Sequence, residues 1–191
     1  MKRGPIYLAA MFVILWFASA FAVSQLPSDS FYRLDLPLTI QNGETIRLPA
    51  LAGQVRIVTM FYGSCSYVCP MTIETLKRID SRLSDGEQAK LGMLLVSVDP
   101  DRDTPEVLSR LVLERKLDSA RWTLASAKAG DVRKIAAVLG VQYRQLANKE
   151  FNHSTILTLI SPEGRIVARS SIIGSLDSQF VAAVRAVLAK G

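Results

Sequence analysis

Cysteine and histidine are scarce in this chain: 191 residues carry two of the first and one of the second. Two cysteines cannot build a framework of several disulfides. A bridge between Cys65 and Cys69 would close so short a loop that it removes little chain entropy, which makes it a weak staple. A structural zinc centre wants four Cys or His ligands, and there are not four to give. Clusters of Lys and Arg interleaved with aromatics are also missing. The net charge of +6 is scattered, so a nucleic-acid surface is a poor reading and a solvated exterior a sufficient one. No repeat or low-complexity tract occurs. Disorder is excluded by a composition that is 49% apolar and 21% charged. The length suits one domain with a full core and at most a short extension.

That extension is expected at the N-terminus. The basic segment MKRGP precedes IYLAAMFVILWFASAFAV, residues 6–23, in which no side chain is charged. The run ends in two small-x-small sites, Ala18-Ser19-Ala20 and Ala20-Phe21-Ala22. Basic, then apolar, then a cleavage site is the order of an export signal. A retained membrane anchor is the alternative, since the run nearly spans a bilayer; its small, weakly apolar last third favours cleavage. Either way Lys2 and Arg3 stay on the cytoplasmic side and the bulk of the chain is delivered outside. Residues 1–22 are thus expected to be signal or anchor, 23–30 a polar linker containing SQLPSDS, and 31–191 the domain.

Within the domain, LTIQNGETIRL (38–48) reads as a hairpin with positive φ at both Asn42 and Gly43. VRIVTMFYG reads as a buried strand. A helix should follow from Pro70 to about Leu83, with Ile73, Leu76, Ile79 and Leu83 on one face. LGMLLVSV (91–98) is a second buried strand. The next helix opens with Thr104 as cap and Pro105 as first residue. RWTLAS is a short strand and GDVRKIAAVLG a helix ended by Gly140. STILTLIS and RIVARSS are strands joined by Pro162-Glu163-Gly164, and a last helix runs from about Asp177 to Lys190. Its stripe is Phe180, Val181, Val184, Val187 and Leu188. Alternation of this kind implies an α/β fold: a thioredoxin-like central sheet with flanking helices, and the N-terminal β-hairpin as an addition.

The cysteines sit between a buried strand and a helix N-terminus, where sites gather in open α/β sheets. The helix dipole and free amides there favour thiolate over thiol. Because Cys69 precedes a proline, residues 65–69 are expected to form a curled loop rather than a helical turn. Such a loop can join two sulfurs as a disulfide or present both to one metal. Outside the cytoplasm the pair would oxidise easily. His153 lies in KEFNHSTILTLIS, immediately before a strand. Thioredoxin-like proteins place a cis-proline loop there, facing the cysteine turn. Here an imidazole takes that position, which favours a ligand role for it over an ordinary packed or surface one. Two thiolates with one imidazole are a soft set that selects Cu(I) and can hold Cu(II). Zinc competes only in its three-ligand, catalytic form, and no general base is visible beside the motif.

Three stretches together carry a family resemblance: CSYVCP after one buried strand, VSVDPDRDTPE after the next, and NHST before the late hairpin. From about Phe31 to the C-terminus the chain resembles the Sco/SenC family of thioredoxin-like copper-binding proteins. The resemblance implies export or membrane anchoring, in the bacterial periplasm or on the inner membrane. It implies copper on Cys65, Cys69 and His153, and a role in building the dinuclear copper centre of cytochrome c oxidase. The partner would be the copper-site subunit of that oxidase or another periplasmic copper protein. A thiol-disulfide oxidoreductase using Cys65 and Cys69 as its redox pair, with Cys65 attacking, is the alternative. The chain departs from the family at Ser66-Tyr67, where Pro-Asp is usual, and at Asn152, where Asp is frequent. Asn152 could still accept a hydrogen bond from the imidazole. Asp99 reads as a turn former, and Asp101, Arg102 and Asp103 as a solvated, locally paired turn. Tyr62 and Tyr67, which flank the cysteines, read as packing residues or as a shield for bound Cu(I), and Trp122 as core.

Overall fold

The computed structural model describes residues 26–190. The expected signal or anchor and the first residues of the linker lie outside that range. Among the described residues no helix is long and apolar enough to cross a membrane.

Among the described residues, nine strands and five α-helices follow in chain order: β1 (Pro37–Ile40), β2 (Thr45–Arg47), β3 (Val55–Phe61), α1 (Val68–Asp80), α2 (Asp85–Ala89), β4 (Leu91–Ser97), α3 (Pro105–Glu114), β5 (Trp122–Ser126), α4 (Ala129–Leu139), β6 (Tyr143–Gln145), β7 (Phe151–His153), β8 (Leu157–Ile160), β9 (Ile166–Ser170) and α5 (Ser178–Leu188). Seven strands form one sheet in the order β2-β1-β5-β4-β3-β8-β9. β3, β4 and β5 are parallel, joined through helices, while β1 and β8 pair antiparallel on either side. All seven residues of β4 are buried, as an unbroken apolar run in the middle of a covered sheet must be. The core continues through Ile57, Leu95 and Leu124 of the sheet and Ile73, Leu108, Ile135 and Val184 of the helices.

Local chemistry explains most boundaries. Thr104 accepts from the Val107 amide at the start of α3, with Pro105 as first residue. Gly140 ends α4 in the left-handed region, φ 74°. Asp177 caps α5 by accepting from the Gln179 and Phe180 amides. In α5 Phe180, Val184 and Leu188 are buried, while Val181 and Val187 are only partly so. α2 was not expected; it has a Ser84–Glu87 capping box, but its five residues bury no side chain, so no apolar stripe marks it.

Three expectations need correction. The first hairpin is not a two-residue turn with positive φ at Asn42 and Gly43: only Gly43 is positive, at 86°. The Gly43 amide donates to the Ile40 carbonyl and the Ile40 amide to the Glu44 carbonyl. The loop is therefore three residues long with the left-handed residue last, and Asn42 instead accepts from the Glu44 amide through its side chain. α1 begins at Val68, not Pro70, so Cys69 lies inside its first turn. Proline is tolerated there because the first amides of a helix have no intrahelical partner to lose. The chain also adds a two-stranded ribbon, β6 with β7, and His153 is the last residue of β7 rather than a loop residue.

The far end of the sheet is tied by ions. Arg121, just before β5, makes a two-pronged contact with Asp80 at the end of α1 (2.7 and 3.0 Å), and both side chains are mostly buried. Replacing Asp80 by Ala should cost about 1–3 kcal/mol, read as a lower denaturant midpoint with an unchanged slope. An unchanged midpoint would mean that Asp118 and the Gln88 carbonyl, which Arg121 also contacts, satisfy it unaided.

Candidate metal centre

β3 ends in Phe61, and the next residues turn sharply: the Cys65 amide donates to the Tyr62 carbonyl at 3.2 Å. α1 starts without a side-chain cap from Tyr67. Cys65 Sγ supplies the missing acceptor, taking the Cys69 amide at 3.3 Å. Pro70, next along, has no amide to satisfy. The spacing of three residues between the cysteines thus lets the first sulfur cap the helix that carries the second.

The two thiols are unlike. Cys65 is half-buried, and Cys69 is 3% exposed; both are free thiols. Burial alone would raise the Cys65 pKa, but hydrogen bonds to its sulfur, those from Cys69 foremost, reverse the sign and hold it below the usual value. Burial pushes the Cys69 thiol well up, and its bond to Cys65 adds to the rise. Cys65 is therefore the more readily ionised of the pair, and Cys69 the one that holds its proton longer.

His153 reaches the cysteines from the ribbon. Its Nε2 lies 3.9 Å from Cys69 Sγ. Its Nδ1 lies 3.3 Å from the Ser154 carbonyl, which can only accept, so Nδ1 carries the proton and the Nε2 lone pair faces the sulfur. Burial holds the imidazole pKa below its ordinary value, so it is neutral and able to donate at neutral pH. The expected role of Asn152 does not materialise: that side chain is exposed, and a backbone carbonyl holds the ring instead. The ring of Tyr62 meets His153 edge-on, with centroids 5.8 Å apart, and its hydroxyl donates to the Phe151 carbonyl at 3.3 Å. Tyr62 thus packs as expected. Tyr67 does not, being 72% exposed beside the thiols.

The structure brings the three predicted residues into a chain of contacts, Cys65 to Cys69 to His153. They are not a closed cage: among the described residues no three His, Cys, Asp or Glu side chains are already grouped to hold a metal ion. The donor set is nonetheless chemically apt for a soft cation, with a readily ionised thiol, a second thiol and an unprotonated imidazole nitrogen in sequence.

Sequence reasoning missed what supports this set. Asp103, expected in a solvated turn, is 1% exposed. Its two carboxylate oxygens each lie 3.0 Å from the Gly63 amide, and it accepts from the Ser97 hydroxyl. Ser97 in turn accepts from the Asp99 amide at 2.9 Å. Burial raises the Asp103 carboxyl pKa, against the pull of those hydrogen bonds. Gly63 is required by the close approach, because a Cβ there would lie 2.5 Å from Asp103 Oδ1. Asp99 does form the expected turn, its carbonyl accepting from the Arg102 and Asp103 amides, but its buried carboxylate also pairs with Arg102. The signal was available only as an acid repeated four positions apart after a buried strand, which is equally the signature of a solvent turn.

The fold is a thioredoxin-like sheet whose first parallel strand leads into a dithiol turn, with a histidine opposite. The chain belongs to the SCO1/SenC family, whose model matches residues 28–189. Among relatives, it is 29% identical over 133 residues to the mitochondrial protein SCO2 of Saccharomyces cerevisiae, covering 68% of this chain and 44% of that one. It spans 65% of the length of a relative from Stutzerimonas stutzeri, 24% identical over 135 residues. Among solved structures, apo Sco1 of Thermus thermophilus is similar with a TM-score of 0.65 and 27% identity, over 79% of this chain and 88% of that one. Yeast Sco1 with copper bound is similar in fold with a TM-score of 0.67 and 19% identity, over 82% and 87%.

Two outcomes test this account of the site. At neutral pH, iodoacetamide should modify Cys65 well before Cys69, followed by peptide mass mapping; equal rates would contradict the asymmetry. Asp103→Ala strands the Gly63 amide and should cost about 1–3 kcal/mol while raising the alkylation rate of Cys69. An unaltered rate would mean that the cysteine turn holds itself.

Proposed function

We propose that this chain is an exported metallochaperone that binds copper through Cys65, Cys69 and His153 and passes it to the dinuclear copper site of cytochrome c oxidase. The observation that carries the reading is the approach of His153 Nε2 to Cys69 Sγ across 84 positions of sequence. A dithiol exchanger has no use for that nitrogen; a soft-metal site does. Membership of the SCO1/SenC family and the fold shared with copper-bound yeast Sco1 support the same reading.

Copper is cargo here. The Cys65 thiolate, half-exposed at the rim, is the first donor an incoming ion meets. Cys69 gives up its proton as it binds, and the neutral imidazole completes the set. Three protein donors leave a soft cation open to a further sulfur, so an acceptor thiolate or thioether can attach before the first donors release. The contacts between the three side chains are short enough that small movements of the cysteine turn and the ribbon would close them. The uncharged run at residues 6–23 supports delivery to the periplasm, with or without a membrane tether.

A second reading rests on the asymmetry of the thiols. A depressed, accessible Cys65 beside a buried, protonated Cys69 is the arrangement of an attacking and a resolving thiol. The Cys65 thiolate would attack an acceptor disulfide to form a mixed disulfide. Cys69, losing its proton, would then attack Cys65 Sγ and release the acceptor as a dithiol. The resulting Cys65–Cys69 disulfide needs an external dithiol donor to reset it.

His153→Ala separates the two. It should keep the fold and the thiol exchange while losing most of the Cu(I) affinity, measured by competition against a chromophoric Cu(I) chelator. A variant that holds one Cu(I) as tightly as the parent would remove His153 from the donor set.

A further inference from the structure

The ribbon that carries His153 is a poor structure by its own means. β6 and β7 have three residues each and pair only with one another; Tyr143, Phe151 and His153 are half-buried and the other three residues are exposed. A two-stranded ribbon of this length is marginal in water. Its turn is built like that of the first hairpin: Asn148 accepts from the Glu150 amide as Asn42 does from Glu44. The left-handed position, however, holds Lys149 (φ 64°) where the other turn has glycine, so the turn carries strain that something else must offset.

Arg102 is placed to do so. Its Nη2 donates to the Lys149 carbonyl at 2.6 Å, and its Nη1 lies 3.8 Å from Glu150 Oε1. Its Nε is bound by Asp99, whose side chain is 5% exposed and whose amide is held by Ser97. The guanidinium therefore bridges a rigid turn of the core and the tip of the ribbon. It sits beside Asp103, which holds the cysteine turn through Gly63. Adjacent residues of one turn thus grip the two halves of the donor set.

We propose that Arg102 is a positioning residue: anchored on Asp99, it latches the Lys149–Glu150 tip of the ribbon and so keeps His153 facing Cys69. The proposal rests on the reading of His153 as a copper donor only for its functional consequence; the latch itself can be measured without metal. A planar fork is needed, because one cation must reach the Asp99 carboxylate, a carbonyl and a second carboxylate at once. Lysine offers the charge without the fork.

The test uses the full chain in its reduced, metal-free form, then with Cu(I). In Arg102→Gln the amides of Leu146, Lys149 and Ser154, which donate to the Glu150, Leu146 and Gln142 carbonyls, should exchange with solvent faster, while those of β3 and β4 stay unchanged. Cu(I) affinity should fall about tenfold or more, with Arg102→Lys intermediate. In a His153→Ala background Arg102→Gln should cause no further loss, since the latch acts through that ring. Unchanged ribbon exchange in Arg102→Gln overturns the latch whatever the metal does. Faster ribbon exchange with parental Cu(I) affinity, in a protein that does need His153, overturns the positioning role. If His153→Ala itself leaves the affinity intact, the copper reading fails and the exchange rates alone still decide the latch.

Discussion

The arrangement of the site depends on one buried carboxylate. Asp103 is taken out of water at a cost that only hydrogen bonds can offset, and it finds them in the Gly63 amide and the Ser97 hydroxyl. That fixes the chain as it leaves β3, and with it the turn in which Cys65 caps α1. The parallel pairing of β3 with β4, from Val55 with Leu91 to Phe61 with Ser97, makes the contact available, because both strands end at the same level.

From that constraint the chemistry of the thiols follows. Capping gives Cys65 an amide donor and lowers its pKa, and the same geometry buries Cys69 and raises its own. One readily ionised thiol beside one that holds its proton suits both capture of a soft cation and attack on a disulfide. What separates the two uses is the third group, and it comes from a different part of the chain on a ribbon that the core sheet does not include. In the proposed copper site, a firmly held half and a lightly held half would close on the cargo and reopen without disturbing the sheet. The exposed Tyr67 stands at the rim beside the thiols.

The central architecture was legible in the residues. Buried runs such as LGMLLVSV and VRIVTMF, helix stripes such as Ile73, Leu76 and Ile79, and punctuation by Thr104-Pro105, Gly140 and Asp177 each carry their own physical instruction. The parts that were not legible are those where the instruction is weak. The ribbon has short strands without a consistent alternation of apolar and polar residues, so no period marks it. The hairpin at Asn42-Gly43 was recognised but its loop length was not, because the same dipeptide serves two- and three-residue loops. Asp103 was misread since a buried acid and a solvent acid have the same letter, and the difference lies in whether an amide forty positions away points at it.

The chain of letters alone narrowed which groups can do chemistry here: two thiols near a helix start and a single imidazole, with no other cysteine or histidine in competition. Local patterns sufficed to assign the α/β order as well, since they act over a few residues. Folding decided which of those groups meet, which thiol ionises, what holds the imidazole, and that Arg102 and Asp103 bind opposite halves of the site. Those outcomes depend on desolvation and on partners far away in sequence, and neither quantity exists until the sheet has closed around them.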